Sequence, residues 1–198
     1  MKLLEVHVLQ TVAPSNLNRD DTGSPKDALF GGFRRARISS QAQKRAVRVA
    51  FKEWPVLSEQ ERAVRTKRLV EELLRRLSDV DQDSARRAVE NALNAMGFGV
   101  REGRTEYLLF LGHRELDGLA RLIRQHLDAL SAIEAKGKKK TEVEGELKEA
   151  LEKVLDGGKA VDLALFGRML ADRPELGVDA ACQVAHAIST HKVDREFD

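Results

Sequence analysis

Apolar and polar positions alternate from Leu3 to Val12 (LLEVHVLQTV), which predicts a β-strand close to the N-terminus. Asn16–Pro25 (NLNRDDTGSP) is rich in turn formers and reads as a loop. The chain then continues irregularly from Ala28 through Gly31-Gly32 into a short basic extended piece, Arg34–Ile38. A helix is predicted from Ser39-Ser40 to about Glu53, stopped by Pro55, with Ser40 and Gln43 at capping-box spacing. Two stripes divide that helix. Ala42, Ala46, Val49 and Ala50 make an apolar face suited to a sheet, and Gln41, Lys44, Arg45 and Arg48 make a cationic face beside it.

The pattern changes between residues 58 and 156. Ser58–Leu77 predicts a charged amphipathic helix opened by Ser58 and Glu61, Ser84–Met96 a second helix closed by Gly97, and His113–Glu134 a long one. Thr105–Leu111 is a short apolar piece. Ala135–Lys140 (AKGKKK) reads as a solvated hinge, and Thr141 to about Leu155 as a charged helix. After Gly157-Gly158, Lys159–Met169 returns to strand character and Val178–Thr190 reads as a helix of small residues. The expectation is an α+β chain in three parts: residues 1–57, a helical insertion over 58–156, and a return over 157–198. With so few strands the sheet leaves an edge that needs completing, either by more chain or by other subunits.

A chain of 198 residues with 42% hydrophobic and 33% charged residues has room for one medium domain with a large insertion. No run of 18 apolar residues occurs, so neither a membrane span nor membrane partners are expected. A lone cysteine, Cys182, fits a reducing cytoplasm. The formal charge of +2 is unevenly spread. Residues 1–50 hold nine Lys/Arg against four Asp/Glu, and the six cations Arg34, Arg35, Arg37, Lys44, Arg45 and Arg48 come with no acid among them. A solvated helix face ordinarily mixes signs for i,i+4 pairing; an unmixed run, mostly arginine, points instead to a polyanion such as nucleic acid.

Candidate catalysis is thinner. Asn18, Arg19, Asp20, Asp21 and Asp27 could form a metal or general-base site, but turn chemistry explains them without one. The five histidines are dispersed, and His186 and His191 at i,i+5 do not share a helical face. No HExxH, CxxC, GxSxG or P-loop pattern is present, so no enzyme class and no cofactor is indicated.

The stretch SNLNRDDTGSPKDALFGGFRRARISSQAQKRAVR (Ser15–Arg48) resembles the opening of the CasC family, the repeated backbone subunit of the type I-E CRISPR Cascade complex. VDLALFGRM (Val161–Met169) and AHAISTHKVD (Ala185–Asp194) resemble it further along, in the same order. The resemblance implies an RRM-like (ferredoxin-like) palm, incomplete here, with a large helical finger insertion and a thumb beginning near the end of the sequence. It also implies a non-catalytic protein that binds guide crRNA, reaches target DNA through guide pairing, and assembles with neighbouring copies of itself and other Cascade subunits. Motif by motif, guide contacts fall on Lys26, Ser39, Gln41, Lys44, Arg45, Arg48 and Met169, with Arg19 added from the matching LNRDD loop. Met169 would wedge a flexible apolar side chain against bases, although without the resemblance an ordinary core methionine reads equally well. Related backbone subunits of type III complexes cut RNA with an aspartate in the corresponding loop, which Asp27 roughly matches; a stand-alone basic nucleic-acid-binding protein is the other alternative.

Overall fold

Gly31 and Gly32 take φ of 62° and 80°, a left-handed pair that only glycine adopts without strain and that reverses a chain in two residues. In the computed structural model, which describes residues 2–54, 56–133, 145–156, 160–170 and 173–194, this turn makes a hairpin where the sequence pattern suggested irregular chain. The elements in order are β1 (Asp27–Phe30), β2 (Phe33–Ile38), α1 (Ser40–Glu53), β3 (Ala63–Thr66), α2 (Leu69–Arg76), α3 (Gln82–Ala95), β4 (Val100–Arg101), β5 (Arg104–Thr105), β6 (Leu109–Gly112), α4 (His113–Gln125), α5 (Leu127–Ser131), α6 (Gly145–Lys153), α7 (Val161–Phe166) and β7 (Ala187–Ile188). This is a mixed α+β chain with small sheets, divided into two units: residues up to Val47 with those from Val184 onward, and Arg48–Gln183.

The first unit is built on a three-stranded antiparallel sheet in the order β1-β2-β7. Helix α1 begins and ends as its sequence predicts, but its details differ. The cap is Ser39, whose hydroxyl accepts from Ala42 N–H at 3.3 Å, in place of the expected box at Ser40. None of the helix's residues is buried, so the alanine stripe does not reach a covering sheet. The strand expected over Leu3–Val12 is likewise unformed. The segment is exposed along its length, Leu9 by 91%, because alternation fits a pleated surface but only a pairing partner makes a strand.

The second unit holds the main core. Leu69, Val70 and Leu73 of α2 pack with Ala88, Val89 and Leu93 of α3 and with Leu116, Leu119 and Ile123 of α4. Antiparallel pairing of β3 with β6 runs through this unit, and its two faces serve two clusters. Leu109 and Leu111 join the helical core, while Phe110 packs with Ala63, Ala160 and Leu163. Burial on both faces explains the uninterrupted LFLG run.

Several sequence expectations are corrected here. Ser58–Leu77 is not one helix: the expected capping box forms, Glu61 accepting from the Ser58 N–H (2.9 Å) and hydroxyl (2.7 Å), but it opens only a 3-10 turn, Glu59–Glu61, after which Ala63–Thr66 is drawn into β3 by pairing with β6 and the α-helix covers Leu69–Arg76. Helix α3 forms as expected, with the Asp81 carboxylate accepting from Ser84 N–H at 2.9 Å and Gly97 at φ 84° closing it. The long helix from His113 breaks at His126, giving α4 and α5. Where Lys159–Met169 suggested a strand, α7 forms. Its Asp162 carboxylate sits in the first turn and accepts from the N–H groups of Leu163 (3.0 Å) and Ala63 (2.8 Å), which ties the helix to β3. Val178–Thr190 is extended and not helical, since its amides find acceptors outside the segment: Ala181 on Ala164, Cys182 on Leu165 and Ser189 on Ala36. Long-range pairing thus overrides a weak local preference for helix. The predicted hinge Ala135–Lys140, the start of the helix from Thr141, Pro55 and Gly157-Gly158 lie outside the described residues.

One ion pair gathers much of the second unit. Arg168 lies fully inside and donates to both oxygens of Glu115 (2.9 and 3.1 Å) and to the carbonyls of Phe110 (3.3 Å), Leu155 (3.0 Å) and Leu176 (3.0 Å). Glu115 in turn accepts from Gly112 N–H at the head of α4. Arg168→Met leaves a buried carboxylate without its cation and is expected to cost roughly 3–5 kcal/mol in chemical denaturation. Adding Glu115→Gln should recover part of that loss; a double variant no more stable than the single one would show that the charge pairing is not what matters.

Burial pushes the Asp162 carboxyl above the ordinary aspartate value, while its backbone hydrogen bonds from Ala63 and Leu163 pull the other way. A raised folded-state value gives a contribution that is complete below the unfolded value and lost as pH rises through the folded one. The stability of wild type relative to Asp162→Asn should therefore grow as pH falls from neutrality toward about 4. Thermal denaturation of both proteins across that range checks it.

Candidate nucleic-acid interface

The basic strand and helix of the first unit are positioned by polar side chains, since Ser39 is the one buried residue among those described in this unit. Asn18 does most of the positioning. Its carbonyl accepts from Lys26 N–H at 2.8 Å, and its side-chain oxygen accepts from Ser39 N–H at 2.9 Å, linking the Asn16–Pro25 loop to the start of α1. The loop is closed by Asp20, whose carboxylate accepts from the amides of Thr22 and Ser24 and from the Thr22 hydroxyl. Exposed Arg19 faces Pro25 across the same loop. The turn-chemistry reading of these Asx residues accounts for Asn18 and Asp20.

Asp27 and Arg34 form an ion pair at 2.6 Å. Arg35 is held by three carbonyls, donating to Phe30 (3.2 Å), Ser189 (2.9 Å) and Thr190 (2.6 Å), so its charge is fixed in place without being neutralised. The Nε of Arg37 is buried and has no hydrogen-bond partner among the described residues. Beyond Ser39, Gln41 accepts from the Ser40 hydroxyl at 3.4 Å, and Lys44 and the exposed Arg45 follow one turn later. No acidic residue occurs between Asp27 and Glu53.

Two residues of this frame were missed as site residues. Gln43 Nε2 donates to the carbonyls of Ile38 and Ala185, and His186 Nδ1 accepts from Ser40 N–H. Both tie the segment after Val184 to the start of α1, a pairing between distant positions that local sequence does not announce.

The other two expected contacts belong to the second unit. Arg48 lies with its guanidinium carbon 5.4 Å from the centre of the Phe110 ring, a cation–π distance. Met169 is 90% exposed, between the buried Arg168 and Leu170, so it is not a core methionine. Gly167 sets this up at φ 74°: a Cβ there would stand 2.8 Å from the Val178 carbonyl oxygen. Among the described residues no group of three or more His, Cys, Asp or Glu is placed to hold a metal, and no helix is long and apolar enough to cross a membrane.

An acid-free basic strand running directly into a basic helix, on a small α+β frame, is charge patterning suited to a polyanion. The chain belongs to the family described as CT1975-like protein, which matches residues 4–198. Solved structures are similar to it, two of them as follows. A chain described as "CRISPR RNA-guided surveillance complex" is 34% identical, with a TM-score of 0.70 over 92% of this chain and 57% of that one. Another, described as "CRISPR RNA-guided surveillance complex, pre-nicking", is 34% identical, with a TM-score of 0.69 over 90% of this chain and 50% of the other. The chain thus spans about half the length of these two chains. None of the curated proteins matches it.

Gly167→Ala should disturb the presentation of Met169. Its methyl group meets backbone atoms that cannot turn aside, at a positive φ, so a loss of about 1–3 kcal/mol is expected in thermal or chemical denaturation. Unchanged stability would show that the segment from Val178 gives way easily.

Proposed function

We propose that the protein is a non-catalytic, crRNA-binding backbone subunit of a type I-E CRISPR Cascade surveillance complex. Copies would line up along one guide, each holding a short stretch of backbone and leaving bases free to pair with target DNA. The observation that carries this reading is the acid-free cationic run from Arg34 to Arg48, continuous over a strand and the helix that follows it, in a chain of this family. Arginine forks and a helix-mounted lysine suit phosphates and read no bases, as a carrier of arbitrary guides requires; sequence discrimination is left to base pairing.

In this reading residues 1–57 and 157–198 belong to an RRM-like palm and residues 58–156 to a helical finger. Arg19, Lys26, Arg34, Arg35, Arg37, Ser39, Gln41, Lys44, Arg45, Arg48 and Met169 contact the guide. Guide crRNA, target DNA, further copies of the chain and other Cascade subunits are its partners, in the cytoplasm. The ion pair of Asp27 with Arg34 supports a structural role for that aspartate over a nucleolytic one. Metal-dependent RNA cleavage abolished by Asp27→Ala would overturn the non-catalytic reading.

Affinity for single-stranded RNA should fall with salt at a log–log slope of roughly −0.7 per phosphate neutralised, without sequence preference. Replacing Lys44, Arg45 and Arg48 by Gln should flatten that slope by about 2 and cost more affinity than replacing Lys138, Lys139 and Lys140. Filter-binding titrations at several salt concentrations read both. A salt-insensitive affinity, or equal losses from the two triple variants, would contradict electrostatic holding by the helix.

A further inference from the structure

The hairpin register sorts its side chains onto two faces. Directly opposed residues share a face and neighbours along a strand alternate, so Phe30 lies beside Phe33, and Ala28 beside Arg35, on one side. Arg37 continues that side; its N–H donates to the carbonyl of Lys26, which faces it beyond the end of β1. The opposite side carries Asp27, Leu29, Arg34 and Ala36, with the Asp27–Arg34 ion pair on it. Positive charge on the first face is therefore left without the hairpin's one acid. At its tip Phe30 and Phe33 are 61% and 55% exposed, held next to each other by the Gly31-Gly32 turn. Solvent exposure of two adjacent aromatics is costly and is not relieved by any core among the described residues of this unit.

We propose that Phe30 and Phe33 form a base-stacking platform for single-stranded RNA, with Lys26, Arg35 and Arg37 on the same face holding the adjoining phosphates. Aromatic rings interleaved with cations are what sequence-tolerant single-strand binding requires, because every base has a π-face and every nucleotide a phosphate. The Arg35 guanidinium is pinned by its three carbonyl acceptors, so the cationic side of the platform is preorganised. This inference rests on the RNA-binding reading and adds to it a contact with bases, where the basic helix offers contacts with phosphates.

The test compares two fluorescein-labelled single strands of equal length and phosphate count, an adenine-rich RNA and its abasic counterpart, on the 198-residue chain. Wild type should prefer the base-bearing strand. Phe30→Ala with Phe33→Ala should lower affinity for that strand about tenfold or more and leave abasic binding unchanged, which also shows that the variant is folded. Phe30→Leu with Phe33→Leu keeps the apolar bulk without the flat ring face and should lose nearly as much. Equal losses on both strands, no loss on either, or full recovery with leucine would each overturn the platform while leaving phosphate binding in place. Sedimentation run in parallel covers the rival occupant: self-association abolished by the alanine pair, with RNA affinity unchanged, would assign the tip to a second copy. Wild type binding neither strand would overturn the RNA-binding reading and the platform with it.

Discussion

The buried pairing of Arg168 with Glu115 is the constraint around which the second unit is arranged. A charge taken out of water is tolerated only when its hydrogen-bonding capacity is met, and here one guanidinium meets a carboxylate and three carbonyls. Those acceptors come from the head of α4, from β6, from the chain after α6 and from the turn Pro174–Leu176. Elements distant in sequence are thereby fixed to one point. The same anchoring decides what happens beside it. With Arg168 directed inward, paired across to Val178, and Leu170 directed inward after it, Met169 between them is directed to solvent. An apolar side chain is thus presented to solvent beside an interaction that is itself buried.

The first unit follows a different logic. It has no apolar core among its described residues and is joined by polar contacts: Asn18 to Ser39, Gln43 to Ala185, Arg35 to Ser189 and Thr190, and Ser189 to Ala36. Each such bond contributes modestly against solvent competition, so a unit of this kind belongs to the low-stability end of the molecule. A polyanion that binds only the ordered form stabilises it by mass action, and the basic residues it would meet are the ones these contacts position. Under the proposed function, order and binding would be linked through the same residues.

The basic helix is where sequence and structure agree most closely. Its limits follow from serines before it, an interior of helix-forming residues and a proline after it, all of which act locally. The charge asymmetry of Arg34–Arg48 is equally local, and so is the glycine stop at Gly97. Chemistry carried by neighbouring residues can be read from their order alone. Membership of a family was legible for the same reason, since its motifs are short continuous runs.

What the tertiary structure alone decided concerns partners far apart in the chain. Ala63–Thr66 became a strand because LFLG lies opposite it, and Val178–Thr190 became extended because its amides found carbonyls in other segments. VDLALF, with apolar residues at positions that suit either period, became a helix when the Asp162 carboxylate accepted the amide of Ala63 across 99 positions. Leu3–Val12, with an alternating pattern and no pairing partner among the described residues, stayed unpaired. Which face Met169 shows depends on Arg168, and which cations share a face with Phe30 and Phe33 depends on register. A pattern of side chains fixes what a segment is able to do; the free energy that selects among those conformations resides in contacts the segment cannot make by itself.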